Sequence, residues 1–321
     1  MARRVTSGRV HEPVLVSEVM SLANPTTNDL TVETMVGAGG HSAEFLRRTG
    51  PQGRLLGLDR DPAILEVARG ALEPFGERVK LVEAESGALR DALGRSQWGP
   101  AQILFMDLGV SSLQLDDSRR GFSFSKDGPL DMRMGRKGVT ASEWLATTPC
   151  AEMERAFRTY GDEPFARRIA AEVSERAEKR RFSTTSELAT FIAELVPHRL
   201  RGRSPIHPAT RVFQAIRIAV NDELGLLERT LPQAWEALAP GGRLVVISFH
   251  SGEDRIVKEF MRGLQQEATG TRLVKKPIKA GDEEVARNPR SRSACLRAAL
   301  KSPPPDRRRH WERDREEDED A

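Results

Sequence analysis

The stretch Leu30-Thr31-Val32-Glu33-Thr34-Met35-Val36-Gly37-Ala38-Gly39-Gly40-His41-Ser42 constrains the fold more than any other part of this chain. A short β-branched run leads to an acid, a glycine-rich turn follows, and residues 41–48 read as the first turns of a helix. Glycines at 37, 39 and 40 let a backbone approach a ligand closely and adopt positive φ without a steric penalty. A second apolar run, Leu55-Leu56-Gly57-Leu58, ends in Asp59, nineteen residues past Gly40. A strand, a glycine loop, a helix and an acid about twenty residues on form the nucleoside-binding layout of a βαβ unit. The plain structural alternative is a tight turn, with Asp59 as an ordinary strand-end residue.

Strands and helices keep alternating after this unit. Asp61-Pro62 opens a helix, Asp61 as its N-cap and Pro62 at the first helical position. A strand is expected over 79–82 and a helix over 86–93. Ile103-Leu104-Phe105-Met106 is continuously apolar, as a strand buried on both faces should be, and ends in Asp107. The pattern predicts a parallel sheet with helices on both faces.

After Asp107 the alternation stops. Residues 109–139 are loop-like, and helical periodicity runs from Ala141 to about Val196. A longer helical stretch over 209–238, interrupted near Asn221, leads to the turn signal Pro240-Gly241-Gly242 and a strand over Arg243–Ser248. A helix over 253–264 and closing strands near 271–276 and 293–300 complete the pattern. The mostly helical residues are therefore an insertion in one α/β domain.

The formal charge of +3 is unevenly spread: the tail 303–321 carries −3 and the remainder +6. A basic body suits a polyanionic partner. The two cysteines, Cys150 and Cys295, form no metal-ligand spacing and no disulfide framework, which fits a reducing compartment. No apolar run approaches the roughly 20 residues a membrane span needs, and the N-terminus lacks a signal-like apolar core. A cytoplasmic protein with no membrane partner is expected.

A glycine loop plus Asp59 fits either NAD or S-adenosylmethionine. The loop lacks the third glycine of the dinucleotide fingerprint, and a further acid, Asp107, ends the fourth strand. Ligands in such sheets lie over the carboxyl ends of the strands, so residues 40, 59 and 107 should rim one crevice.

The blocks after Asp107 are far more specific. Leu108-Gly109-Val110-Ser111-Ser112-Leu113-Gln114-Leu115-Asp116-Asp117 is followed by Arg120-Gly121-Phe122-Ser123-Phe124 and by Asp127-Gly128-Pro129-Leu130-Asp131-Met132-Arg133-Met134. Further on come His207-Pro208-Ala209-Thr210-Arg211, Phe213-Gln214-Ala215 and Ser248-Phe249-His250-Ser251. These closely resemble the RsmH (MraW) family of bacterial 16S ribosomal RNA cytosine-N4 methyltransferases, over about residues 11–300. The resemblance implies an α/β, Rossmann-like class I S-adenosylmethionine-dependent methyltransferase sheet with an inserted helical domain. The sheet domain would comprise 1–113 and 218–302, the inserted substrate-recognition domain 114–217, and 303–321 a disordered charged tail. By motif match the cofactor positions are Gly39, Gly40, His41, Asp59, Asp107 and Gln114, with Ser86 a weaker match. The implied partners are 16S rRNA or the small ribosomal subunit, and a homodimer is compatible with this reading. Two departures stand out: Glu33-Thr34-Met35 where the family usually has Asp-Gly/Ala-Thr, and Gly252 where it often has Leu.

Methyl transfer from a sulfonium is an in-line displacement that positioning and electrostatics can drive without a metal. The cytosine amine is a poor nucleophile, and an acceptor on its N–H would localise the lone pair. Asp107 is placed for this or for holding the cofactor. His250 is the second candidate acceptor, against the commoner role of a strand-end histidine as structure. Ser111, Ser112 and Asp131 are further candidates, against local loop capping. RNA would be gripped by Arg199, Arg201, Arg203, Arg211 and Arg217, and by Lys275, Lys276, Arg290 and Arg292; for Arg211 and Arg217 the alternative is bonding inside the insertion. Phe122, Phe124, Trp144 and Phe249 are candidates to stack an extruded base. Pro149-Cys150 resembles the nucleophile pair of carbon-5 methyltransferases but reads as helix initiation. Two other functions stay open at this point. One is an NAD-dependent oxidoreductase, against which the only tyrosine, Tyr160, lies in the insertion; the other is a non-catalytic RNA-binding protein on the same fold.

Overall fold

The computed structural model describes residues 12–196 and 207–303. Arg199, Arg201, Arg203 and the tail beyond 303 lie outside the described residues, so the expectations placed on them stand as stated.

Seven strands form one sheet in the order β3-β2-β1-β4-β5-β7-β6. They are β1 (Leu30–Glu33), β2 (Arg54–Asp59), β3 (Val79–Glu83), β4 (Ala101–Asp107), β5 (Leu238–Ser248), β6 (Gly270–Arg272) and β7 (Cys295–Lys301). The first five pair in parallel, as the alternating pattern requires. The last two depart from it: β7 runs antiparallel to both β5 and β6. The chain between β6 and β7 holds a six-residue helix and a 3-10 turn over Pro289–Ser293, and it returns antiparallel.

α1 (Val16–Ala23), α2 (Gly40–Arg48) and α3 (Pro62–Leu72) precede β3; α4 (Leu89–Ser96) precedes β4. α5 (Ser112–Asp116), α6 (Ala141–Thr147), α7 (Cys150–Gly161), α8 (Ala166–Lys179), α9 (Thr185–Leu195) and α10 (Ala209–Asn221) follow β4. α11 (Glu223–Ala237), α12 (Ser251–Gln266) and α13 (Asp282–Arg287) complete the chain order. Strand alternation sends β4 side chains to two cores. Leu104 and Met106 pack with Leu227, Leu231 and Val257 from α11 and α12, while Ile103 and Phe105 pack with Val19 and Phe45 from α1 and α2. The helix expected from 86 begins with a 3-10 turn over Ser86–Ala88 before α4. Pro240-Gly241-Gly242, expected as a turn before a strand, lies inside β5. The register jumps there from Ala101↔Leu238 to Ile103↔Arg243, so Ala239 to Gly242 loop out as a bulge with Gly241 at φ 78°.

The helices between β4 and α11 enclose a core of their own, built on Phe157, Ile169, Val173, Phe182, Leu188 and Ile216. Local signals fix helix ends in both parts of the chain. Asp61 caps α3 by accepting from Ala63 N at 3.0 Å, and Thr184 caps α9 by accepting from Glu187 N at 3.3 Å. The Glu187 carboxylate itself turns to Ser183 N and Arg176. α10 and α11 break at Asp222, whose φ of 47° and ψ of 41° reverse the helix. Asn221, the last residue of α10, accepts from Met134 N and donates to Met132 O, both at 2.8 Å. The Asp131–Met134 loop is thereby tied to the junction between the insertion and the sheet domain.

Gly161 ends α7 where it crosses α10; a Cβ there would lie 2.4 Å from the Arg211 backbone oxygen, which no rotamer change can relieve. Gly161→Ala should therefore destabilise the protein by about 1–3 kcal/mol. Chemical denaturation checks this, and an unchanged midpoint would show that the helices part without cost.

Candidate functional site

A cavity of about 860 Å³ opens over the carboxyl ends of β1, β2 and β4, between the sheet and the insertion. The position is where an open α/β sheet places a ligand. Gly40, His41, Asp59, Ser86, Asp107 and Gln114 all line it. Gly39 does not. At φ 82° it shapes the turn before α2, and a Cβ there would sit 3.3 Å from Leu72 Cγ, so its place is in packing rather than in the cavity wall. Gly37 takes its place as a lining residue. Gly40 must lack a side chain because Pro13 Cγ would stand 2.8 Å from its Cβ.

The turn from β1 folds back on Asp59. The amide of Gly37 donates to Asp59 Oδ2 at 3.3 Å and that of Asp61 to Oδ1 at 2.9 Å. Burial pushes the Asp59 carboxyl up to about 6 despite these two donors. Gln114 is deeply engaged within the protein. Its Oε1 accepts from Ser111 N at 3.0 Å and its Nε2 donates to Asp61 Oδ2 at 2.9 Å. Arg120 also bonds Asp61 and holds the Met134 carbonyl at 2.9 Å. Gln114 and Arg120 therefore fasten the insertion to the β2–α3 turn, and Gln114 acts on the cavity through that geometry. Ser86 shares a hydrogen bond of 3.0 Å with Thr230 on α11. Ser111 caps α5, and Asp131 forms a bidentate pair with Arg133, so both follow the loop-capping alternative.

Asp107 ends β4 with 27% of its side-chain surface exposed, opening onto the cavity. Its Oδ2 lies 3.6 Å from His41 Nδ1, and its buried Oδ1 has no hydrogen-bond partner in the protein. Burial, reinforced by the Glu253 carboxylate, pushes its pKa up to about 7. Glu33, by contrast, does not line the cavity. As the last residue of β1 it points to the α2 side, where Ser42 Oγ bonds it and only 1% of it is exposed. Burial pushes its pKa well above the carboxylate range, helped by Asp107 and Asp59 and opposed by Ser42.

His250 is not a free strand-end acceptor. It is the N-cap of α12: its Nδ1 accepts from Glu253 N at 3.4 Å, and Nε2 lies 3.3 Å from Glu253 Oε1 without hydrogen-bond alignment. Glu253 closes the capping box by accepting from Phe249 N at 2.8 Å. Burial alone would raise Glu253, yet His250 and Arg217 keep it below the ordinary range. Arg217 forks onto Glu223 at 2.8 and 2.9 Å. It is thus a partner for buried acids, not an open phosphate contact, which corrects one expectation. Arg211 is exposed and donates to Asp162 O at 3.0 Å, away from the cavity. Lys275 and Lys276 are exposed and do not line it, whereas Arg290 and Arg292 stand at its rim. Arg290 bonds Asp116 at 2.7 Å across the opening.

Of the four aromatic candidates only Phe249 reaches the cavity. Phe122 and Trp144 belong to the insertion core, and Phe124 packs on His207 and Phe213, both 4.8 Å away between ring centroids. The structure adds Thr210 and Gln214 to the wall. With Arg217 they stand at i, i+4 and i+7 of α10, a polar stripe that the sequence does display. Cys150, at the head of α7, packs on the insertion core and is not among the lining residues.

Comparison with known proteins is consistent along nearly the whole chain. The family model described as the MraW methylase family matches residues 8–302. A Methylococcus capsulatus protein named ribosomal RNA small subunit methyltransferase H is 46% identical over 301 residues, covering 89% of this chain and 99% of its own. Namesakes from Heliobacterium modesticaldum and Symbiobacterium thermophilum are 45% and 44% identical. They cover 91% of this chain and 98% and 96% of their own lengths.

The buried Glu33 gives a sign-defined test. A carboxyl whose pKa is higher folded than unfolded binds more protons in the folded state, so its contribution falls as pH rises above the unfolded carboxyl value. Glu33→Gln should leave the thermal midpoint near wild type at about pH 5 and raise it relative to wild type at about pH 9. Equal midpoints at both would show that Glu33 ionises freely.

Proposed function

The chain belongs to the MraW methylase family, and from that premise we propose that it methylates N4 of a cytidine in the decoding region of 16S ribosomal RNA, with S-adenosylmethionine as donor. The observation that carries this reading is Asp107, a carboxylate at the carboxyl end of β4 that lines the cavity with 27% of its side-chain surface open. An ionised carboxylate open to the cavity can accept a hydrogen bond from a ligand N–H there, worth about 1.5–3 kcal/mol for a charged acceptor.

The residues present fit the donor. The Gly37–Gly40 turn leaves backbone against the cavity, and Asp59 stands at the end of β2 where ribose hydroxyls are held in this layout. Ser86 and Ala84 border the neighbouring end of the cavity. The donor, when bound, supplies an electrophilic methyl group on a sulfonium. The protein supplies position and electrostatics. Ionised, Asp107 accepts an amine N–H, which localises the nitrogen lone pair and stabilises the positive charge that develops on it. Thr210 and Gln214 of α10 and Phe249 after β5 line the cavity and shape the space left for the amine. Arg290, Arg292, Lys275 and Lys276 supply charge for the RNA backbone, an affinity term that carries no sequence information.

The rival chemistry, attack by a thiolate on ring carbon 5, is disfavoured by the placement of Cys150 outside the cavity lining. Cys150→Ser should keep wild-type turnover, and a dead variant would favour carbon-5 attack. Transfer of tritium from labelled S-adenosylmethionine to undermodified small subunits tests the activity itself. Asp107→Ala should lower that transfer by about 10²-fold or more while cofactor binding persists in calorimetry; near-wild-type turnover would remove Asp107 from the mechanism. Replacing Lys275 and Lys276 together by Ala should lower the slope of log affinity against log salt by about 1–2 with cofactor affinity unchanged. An unaltered slope would move the RNA path elsewhere.

A further inference from the structure

Gln214 stands on α10 where that helix crosses the end of α7, half-buried and in the cavity wall. Its Nε2 donates to the Tyr160 backbone oxygen at 2.9 Å. The sequence explains that bond. The Tyr160 carbonyl lies in the last turn of α7, and the residue four places on is Pro164, which has no N–H to offer it. Gln214 supplies the missing donor. A carbonyl can only accept, so the nitrogen of the amide must face Tyr160, and the amide cannot turn over without losing the bond. The backbone beneath it is held as well, since Gly161 of α7 leaves no room for a Cβ against the Arg211 oxygen of α10.

Half of the amide is left over. The second N–H of Nε2 and the Oε1 acceptor bond no described residue, and Oε1 is not sealed from solvent. The cavity wall therefore carries one donor beside one acceptor, in a fixed order.

We infer that Gln214 is the residue that selects cytosine, its Oε1 accepting from N4–H and its Nε2 donating to N3 of a base extruded into the cavity. The inference rests on the activity proposed above and deepens it by naming what reads the base. Cytosine presents a donor at N4 next to an acceptor at N3, the complement of the amide. Uracil presents an acceptor at O4 next to a donor at N3, the reverse. A free glutamine could match either base by turning its amide over. Gln214 is held by Tyr160, so uracil would meet like against like at both positions.

An exocyclic amine carries two N–H groups in the plane of the ring. Gln214 takes the one beside N3 and leaves the one beside carbon 5 to Asp107, which lines the same cavity. Both bonds lie in the ring plane, so the perpendicular path from the nitrogen lone pair to the methyl donor stays open. A helix cap alone would account for the Tyr160 bond and would be blind to the atoms of the base.

Replacing one atom of the base separates the two roles. Small subunits are reconstituted with RNA carrying either cytidine or 3-deazacytidine, which has carbon in place of N3, at the target position. Single-turnover methylation of both by the full chain is compared at saturating cofactor. The wild-type preference for cytidine, read as a ratio of rates, should fall roughly tenfold in Gln214→Ala and in Gln214→Met. The Met variant keeps the length of the side chain should Ala loosen the end of α7. A capping role would slow both substrates alike, and a ratio unchanged from wild type would overturn the inference while leaving the activity standing. A wild type that leaves the cytidine-bearing subunit unmethylated would overturn the activity itself, and the inference with it.

Discussion

Three carboxyl groups converge where β1, β2 and β4 end, and the rest of the site is arranged around keeping them there. Glu33, Asp59 and Asp107 are all buried enough for their ionised forms to be disfavoured. Each is handled differently. Glu33 is turned away and bonded by Ser42. Asp59 receives the amides of Gly37 and Asp61. Asp107 keeps one oxygen near His41 and one without a partner. Like charges this close cannot all ionise cheaply in a low dielectric. The differences among the three leave Asp59 and Asp107 at the cavity and Glu33 turned away from it.

The insertion completes the site through polar fasteners rather than a shared core. Gln114 and Arg120 reach Asp61, Asn221 holds the backbone at Met132 and Met134, and Arg217 answers the buried Glu223 and Glu253. Removing one partner of such a buried pair costs about 3–5 kcal/mol, because the other charge is left unpaired. These contacts set how far the α10 wall stands from Asp107. The specific sequence blocks after β4 thus carry mostly architecture, and only part of them touches the cavity.

Much of the fold was legible because it rests on local patterns. The apolar run ending in Asp107, the Asp61-Pro62 cap and the break near Asn221 each state their structure within a few residues. The convergence of Gly40, Asp59 and Asp107 follows from strand topology, so it too could be read. Side-chain direction could not. The pleat of β1 turns Glu33 to α2, and His250 looked like an acceptor until the first turn of α12 engaged it. Arg217 was one of five arginines in a basic segment, and only the fold brings Glu223 against it. Antiparallel β7 and the rim segment at Pro289–Ser293 depend on contacts with distant parts of the chain, such as Arg290 with Asp116.

The central claim is that the cavity presents an exocyclic amine to a methyl donor, with Asp107 as its acceptor. The most direct measurement is mass spectrometry of nucleosides from small-subunit RNA after incubation with the purified protein and S-adenosylmethionine. The account predicts a new methyl group on N4 of a cytidine in the decoding region. A methyl on ring carbon 5, or no methylation of the small subunit at all, would contradict it.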